Sequence, residues 1–137
     1  MKINPYLYFN GRCGEALEFY KQALGAEVKF SMKFKDNPQP QYNPPGSEEK
    51  IMHADFSIGE SHLMASDGMC DGAEAKFNGV TLTLQVADAA EADRTFAALK
   101  EGGEVRMPLG ETFFSPRFGM VADKFGVSWM VIVPRPM

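Results

Sequence analysis

The chain has 137 residues, of which 45% are hydrophobic and 23% are charged, and its formal net charge is −4. This length suffices for one buried globular core, and the acidic balance argues against nucleic acid as the main partner, because phosphate binding needs a basic face. No apolar run approaches membrane-spanning length, and the N-terminus lacks the features of a signal peptide. Cys13 and Cys70 have no CxxC or metal-binding spacing, so we expect two reduced, inert thiols in a cytoplasmic protein.

The first half of the chain begins with a predicted strand and a predicted helix. In residues 3–9, apolar and polar side chains alternate, which places Tyr6 and Tyr8 together on one face. A helix with an apolar stripe is expected from about residue 12 to 24, and Gly25 supplies the left-handed residue that ends it.

Three more strands complete the first half, at residues 27–34, 51–58 and 62–66. The tract at 36–49 contains four prolines and few apolar residues, which excludes a regular helix or a central strand. We interpret it as a surface loop, either an inert insertion or a lid over a site.

The second half follows the same order after a connector at residues 68–79. A strand at 80–86 leads into a helix that runs to about residue 101, and Asp88 and Glu91 have the spacing of a capping box at its start. The remaining strands are expected at 104–109, 118–122 and 127–133.

Two segments indicate that the halves are copies of one unit. FYKQALGAEVKF at 19–30 matches FAALKEGGEVRM at 96–107 with a constant offset of 77 residues, whereas the final hairpins align with an offset of 66, which places Met64 on Met130. The difference implies an insertion at the proline-rich tract. The sequence therefore predicts an α+β fold of two tandem βαβββ modules, at about 1–67 and 80–137, each backed by one helix. The sheet faces left uncovered would line a curved, partly open, barrel-like cleft of mixed β-sheet, where a ligand is expected.

The duplicated unit resembles the vicinal oxygen chelate superfamily, which includes glyoxalase, bleomycin-resistance and dioxygenase proteins. Three stretches are similar to its PhnB-like branch, whose proteins are often described as 3-demethylubiquinone 3-methyltransferase-like: LYFNGRCGEALEFYKQALGAE, IMHADFSIGESHLMASD and GETFFSPRFGMVADKFGVSWMV. The resemblance covers nearly the whole chain. It implies a single glyoxalase/bleomycin-resistance-like domain over residues 1–137 and a homodimer.

The enzymes of this superfamily hold a divalent metal with His, Gln or Glu at four equivalent strand positions. The resemblance puts these positions at Asn4, Met64, Thr81 and Met130. Two thioethers, an amide and a hydroxyl do not make a site of oxygen and imidazole donors, so we expect no metal and no cofactor. The sequence also shows no glycine-rich loop for S-adenosylmethionine, which argues against methyl transfer.

His53 and Asp55 lie two residues apart on one predicted strand, which directs an imidazole and a carboxylate to the same face. This histidine could act as an acid or base, could bind a ligand oxygen, or could be only a hydrogen-bonded structural residue. The hydroxyls of Tyr6 and Tyr8 could enter the cleft or face solvent. His62, beside a hairpin turn, is expected at the surface.

Glu111 lies in the loop GETFFSPRFG, close in sequence to Arg117. It is a candidate general base or metal ligand at the cleft mouth, although an ion pair with Arg117 that fixes the loop is the favoured interpretation. Phe113 and Phe114 are expected to plug the core or contact a second subunit, and Trp129 is expected to pack under the second helix.

Two functions follow from these patterns. The preferred one is metal-free, bleomycin-resistance-like binding of a small, partly apolar molecule. Its expected ligand contacts are Tyr6, Tyr8, His53, Asp55, Met64, Thr81, Arg117 and Met130. The alternative is a metal-dependent lyase, isomerase or dioxygenase whose rearranged site uses His53 and Glu111 as catalytic residues.

Overall fold

A computed structural model describes residues 1–135 and divides the chain into two compact units, residues 1–75 and residues 76 onward. The boundary falls inside the connector expected from the sequence. Neither α-helix of the described part has the length and apolar character that a membrane span requires.

The first unit is a four-stranded mixed sheet with one α-helix. Its strands occur in the spatial order β1-β4-β3-β2, with β1 parallel to β4 and the other pairs antiparallel. The elements are β1 (Tyr6–Tyr8), α1 (Cys13–Leu24), β2 (Glu27–Lys33), β3 (Ile51–Ile58) and β4 (Ser61–Ser66).

The second unit repeats this plan. Its strands occur in the order β5-β8-β7-β6, again with the first strand parallel to the last. The elements are β5 (Leu82–Gln85), α2 (Ala89–Lys100), β6 (Glu104–Gly110), β7 (Phe118–Ala122) and β8 (Ser128–Ile132). The α+β fold with two similar βαβββ modules is therefore confirmed.

The parallel strand pairs show the duplication residue by residue. Tyr6 lies beside Met64 in the first sheet, and Thr83 lies beside Met130 in the second. The offset of 77 residues relates Tyr6 to Thr83, and the offset of 66 residues relates Met64 to Met130. The pair Tyr6 and Met64 in the first sheet is therefore equivalent to the pair Thr83 and Met130 in the second.

The first strand of each unit is shorter than the sequence predicted. β1 begins at Tyr6 rather than at Ile3, whose side chain is 90% exposed, and β5 begins at Leu82 rather than at Val80. Both are edge strands, and Pro5 has no N–H with which to extend the ladder from β1. The prediction that the first strand begins at residue 3 was wrong for this reason.

The core of the first unit lies between α1 and the sheet. Ala16 and Tyr20 of the helix are fully buried, and the Tyr20 ring stacks on Phe56 of β3 with ring centroids 6.4 Å apart. Gly25 ends the helix with a φ of 67°, and its N–H donates to the Lys21 carbonyl. The predicted glycine stop is confirmed.

The proline-rich tract is folded by its own hydrogen bonds. The Asn43 side chain donates to the Phe34 carbonyl at 2.7 Å and accepts from the Asn37 amide at 2.8 Å. The Lys33 and Lys35 ammonium groups both contact the Glu49 carboxylate. The tract contains two short 3-10 turns, Phe34–Asp36 and Pro40–Tyr42, and no α-helix or strand, as the sequence predicted for residues 36–49.

The core of the second unit lies between α2 and its sheet. Trp129 is 2% exposed, Val131 and Leu99 are fully buried, and Trp129 lies on the sheet face opposite Met130. A side chain at Gly119 would crowd this core, because a Cβ there would lie 2.8 Å from Phe96 Cε2 and 3.2 Å from Leu109 Cα.

We expect Gly119→Ala to destabilise the second unit by about 1–2 kcal/mol, because the Phe96 ring and the Leu109 backbone must move to admit a methyl group. Gly110→Ala is the matched control, since a Cβ there meets no atom within 4 Å. Urea denaturation of both variants measures the difference. Equal midpoints for the two variants would show that the packing around Gly119 is loose.

Candidate functional site

One face of the first sheet is not covered by α1, and it carries most of the predicted site residues. Tyr6 and Asp55 both lie beside Met64 of β4, and Phe30 of β2 lies beside Asp55. Side chains at paired positions point to the same face. We call this surface the open face and define it by Tyr6, Tyr8, Phe30, His53, Asp55 and Met64.

A chain of hydrogen bonds crosses the open face. The Tyr6 hydroxyl lies 2.7 Å from Nδ1 of His53, and Nε2 of His53 lies 3.0 Å from Oδ1 of Asp55. The side chains of His53 and Asp55 are 29% and 30% exposed. The alternation of β3 thus brings imidazole and carboxylate into contact, and the phenol of β1 reaches the same imidazole.

The chemistry of the three groups fixes the direction of these bonds. A carboxylate only accepts, so Nε2 of His53 carries the proton that Asp55 receives. In a neutral imidazole Nδ1 is then an acceptor, and Tyr6 donates its hydroxyl proton to it. The chain runs from Tyr6 through His53 to Asp55.

Burial supports this direction. The pKa of Tyr6 is raised above its ordinary value, first by burial and then by the neighbouring Tyr8, Cys13 and Asp55, while a hydrogen bond with Ser66 acts in the opposite sense. A phenol with a raised pKa keeps its proton at neutral pH, so Tyr6 acts as a donor.

Aromatic rings surround the hydrogen-bonded chain. The Tyr6 and Tyr8 rings are stacked with centroids 5.0 Å apart, and the His53 ring lies 5.5 Å from Tyr6 and 6.4 Å from Phe30. Tyr8 is 57% exposed and Phe30 is 48% exposed. The sequence did not single out Phe30, because a bulge in β2 changes which residues share a face.

His62 is closer to the candidate site than the sequence predicted. Its Nε2 atom lies 3.8 Å from Oδ1 of Asp55, the oxygen that His53 also contacts, and its side chain is 39% exposed. A signal for this position was available, since His62 precedes Met64 by two residues on the same strand and so shares its face.

The resemblance offered four strand positions for a metal, and two of them do not lie in a strand. Asn4 and Thr81 lie outside β1 and β5, and the residues beside Met64 and Met130 are Tyr6 and Thr83. The Thr83 hydroxyl contacts Met130 Sδ at 3.7 Å. Across residues 1–135, no three His, Cys, Asp or Glu side chains gather closely enough to hold a metal ion.

The predicted ion pair between Glu111 and Arg117 was wrong. Arg117 instead binds Asp93 of α2, with its Nε atom 2.9 Å from the carboxylate, and Glu111 lies 3.5 Å from Arg135. The Glu111 side chain is 75% exposed. Arg117 immediately precedes β7, which α2 packs against, so its side chain meets the helix rather than the preceding loop.

The uncovered face of the second sheet is rich in methionine. Met120 lies beside both Met107 and Met130, and these flexible thioethers make an adaptable apolar surface. Phe114 packs on Phe118 with ring centroids 4.9 Å apart, whereas Phe113 is 93% exposed. Phe113 therefore does not plug the core of its unit.

A carboxylate that the sequence did not single out organises the end of the first unit. Asp67 is 1% exposed and accepts hydrogen bonds from the backbone N–H groups of Gly11, Cys13 and Ile51 at 3.0, 2.7 and 2.7 Å. Burial, followed by the charge of Asp67, raises the pKa of the Cys13 thiol. The position of Cys13 at the start of α1 therefore does not lower the pKa of its thiol, which agrees with the expectation of an inert cysteine.

The second unit also contains a groove of about 420 Å³ between α2 and β6. It contains none of the predicted site residues. Its lining is Asp93, Phe96, Ala97, Lys100, Val105, Pro108 and Leu109.

Comparison with known proteins gives a consistent family. The family model described as 3-demethylubiquinone-9 3-methyltransferase matches residues 1–132. Protein YjdN of Escherichia coli K12 is 37% identical over 143 aligned residues that cover 98% of this chain and 97% of YjdN.

Solved structures agree in fold. Protein PA1353 from Pseudomonas aeruginosa is 43% identical, with a TM-score of 0.86 and coverage of 99% of both chains. The PhnB protein from Bacillus cereus is 29% identical, with a TM-score of 0.82 and coverage of 97% of this chain and 99% of that one. By its match over 132 residues and by these relatives, the chain belongs to the PhnB-like family that the 3-demethylubiquinone-9 3-methyltransferase model describes.

Proposed function

We propose that the chain binds a small, flat, partly apolar molecule on the open face of its first unit, without a metal. The observation that carries the proposal is the hydrogen-bonded chain Tyr6–His53–Asp55, set among half-exposed aromatic rings. A binding site of this kind combines apolar area with a few placed polar groups. Tyr8 and Phe30 supply the apolar area, since their rings remain largely exposed.

The expected contributions of the second unit stay part of this proposal. Met130 and its neighbour Met120 would offer a deformable apolar surface, and Thr81 is the expected polar contact. Arg117 is a weaker candidate than Thr81, because its guanidinium already binds Asp93. The shared cleft and the homodimer remain predictions from the sequence.

The alternative function, a metal-dependent lyase, isomerase or dioxygenase, would need His53 and Glu111 to join one metal site. Glu111 pairs with Arg135 and is mostly exposed, whereas His53 contacts Asp55 and Tyr6. Methyl transfer is not proposed either, because the sequence offers no glycine-rich loop for its cofactor.

A melting experiment with a panel of flat aromatic and heteroaromatic compounds tests the proposal. A compound at a hundredfold excess over its Kd stabilises the folded chain by about 2.7 kcal/mol, which appears as a clear rise in Tm. We expect Tyr8→Ala, which removes exposed ring area, to abolish that rise, whereas Phe113→Ala on the second unit keeps it.

A metal analysis of the same protein separates the two functions. The binding proposal predicts that chelators leave the Tm unchanged. A stoichiometric transition metal that is lost in His53→Ala or Glu111→Ala would replace it with the metal-dependent alternative.

A further inference from the structure

The Tyr6 hydroxyl has one proton, and within the hydrogen-bonded chain it donates this proton to His53. In the neutral imidazole of His53, Nε2 donates to Asp55 at 3.0 Å and Nδ1 presents its lone pair to the Tyr6 hydroxyl at 2.7 Å. Ser66 also forms a hydrogen bond with this hydroxyl, which takes up one lone pair of the phenolic oxygen and leaves capacity for one further incoming hydrogen bond. Toward a ligand, Tyr6 is therefore an acceptor.

From this geometry we propose that the open face selects flat ligands that donate a hydrogen bond, through a hydroxyl or N–H group, to Oη of Tyr6. Ligands of similar shape that only accept hydrogen bonds are disfavoured there. This inference rests on the proposed function and names the ligand class of the same site.

The selection comes from Asp55 acting through His53. If the imidazole carried its proton on Nδ1, it would donate to Tyr6, and the phenol proton would be free to point at a ligand. In the neutral ring the carboxylate prevents this, because it can bind Nε2 only when that nitrogen carries the proton. Asp55 and His53 are positioning residues in this scheme, and Tyr6 is the residue that touches the ligand.

The surrounding rings determine the shape of the ligand. Tyr8 stacks on Tyr6 at 5.0 Å and Phe30 lies 6.4 Å from His53, and both rings have large exposed fractions. A flat aromatic compound can cover these rings while its hydroxyl or N–H reaches Tyr6. Phenols, anilines and N–H heteroaromatics share these properties.

Three matched probes test the inference on the full-length protein. The probes are 4-ethylphenol, which donates, 4-ethylanisole, which only accepts, and ethylbenzene, which does neither. Titrations followed by chemical-shift changes in ¹⁵N-labelled protein give the three affinities. We expect the phenol to bind roughly fivefold tighter than the anisole, the factor that one net hydrogen bond supplies.

Variants of residues on the open face test which side chain causes the preference for the phenol over the anisole. Tyr6→Phe should remove the difference between phenol and anisole, whereas Tyr8→Phe, which keeps the stacked ring, should retain it. His53→Phe keeps a ring beside Phe30 but frees the Tyr6 proton, so the anisole should then bind about as well as the phenol.

The outcomes separate the inference from the proposed function. An anisole that binds wild type as tightly as the phenol, or a preference that survives Tyr6→Phe, overturns the inference and leaves small-molecule binding intact. Failure of all three probes to bind also overturns it, and the wider compound panel then decides the proposed function.

Discussion

Replacing Asp67 with alanine is expected to destabilise the first unit by about 3–5 kcal/mol, because three backbone N–H groups, one buried and two partly buried, lose their acceptor at once. The carboxylate receives the N–H groups of Gly11, Cys13 and Ile51, and its side chain is 1% exposed. This loss is a large part of the total stability of a typical domain.

Two further variants make the Asp67 experiment specific. Asp67→Asn keeps one oxygen acceptor, so its loss should be smaller. Asp71→Ala removes an exposed aspartate that accepts from Asn10 and from the Ala73 N–H, and we expect a change below about 1 kcal/mol. Urea denaturation followed by circular dichroism compares them, and an Asp67→Ala midpoint close to that of Asp71→Ala would contradict the assigned role.

The two helix starts show what a sequence can and cannot reveal. α2 is capped locally, since Asp88 accepts from the Glu91 N–H at 2.9 Å, and this cap was predicted from spacing alone. The Glu91 carboxylate accepts from the Ala87 N–H, one residue before the position that a capping box requires. α1 has no side-chain cap at Arg12; the acceptor for the Cys13 N–H is Asp67, 54 residues beyond Cys13 in the chain. A cap made by tertiary structure leaves no local pattern.

The candidate site, too, was predictable from the sequence only in part. Alternation along a strand suffices to put His53 and Asp55 on one face, and the structure has them in contact. Alternation along a strand does not reveal that β4 lies between β1 and β3. This strand order brings Tyr6 within reach of His53. Alternation also fails to place Phe30 on the open face, because the bulge in β2 interrupts the alternating pattern.

Long-range ion pairs were the least predictable feature. Glu111 and Arg117 are six residues apart, and their opposite charges suggested a pair. Each found a partner 24 residues away instead, Arg135 and Asp93. Exposed charges choose partners by small energy differences, so closeness in sequence is a weak guide to them.

Asp123→Ala is expected to destabilise the second unit by about 3–4 kcal/mol, for a reason parallel to that at Asp67. The Asp123 side chain is 3% exposed and accepts from the backbone N–H groups of Phe125 and Val127 at 2.8 and 3.1 Å. Its second oxygen accepts from the indole N–H of Trp129 at 2.9 Å. Alanine removes the carboxylate that accepts from all three of these buried donors.

The chain contains one tryptophan, so Trp129 emission reports directly on this unit. We expect the emission of Asp123→Ala to change in the native state, because the indole loses its hydrogen bond, and its urea midpoint to fall well below that of wild type. Asp88→Ala is the matched control, since it removes an exposed cap with one hydrogen bond and should lose only about 1 kcal/mol. Equal midpoints for Asp123→Ala and Asp88→Ala would mean that the turn between β7 and β8 holds its shape without the carboxylate.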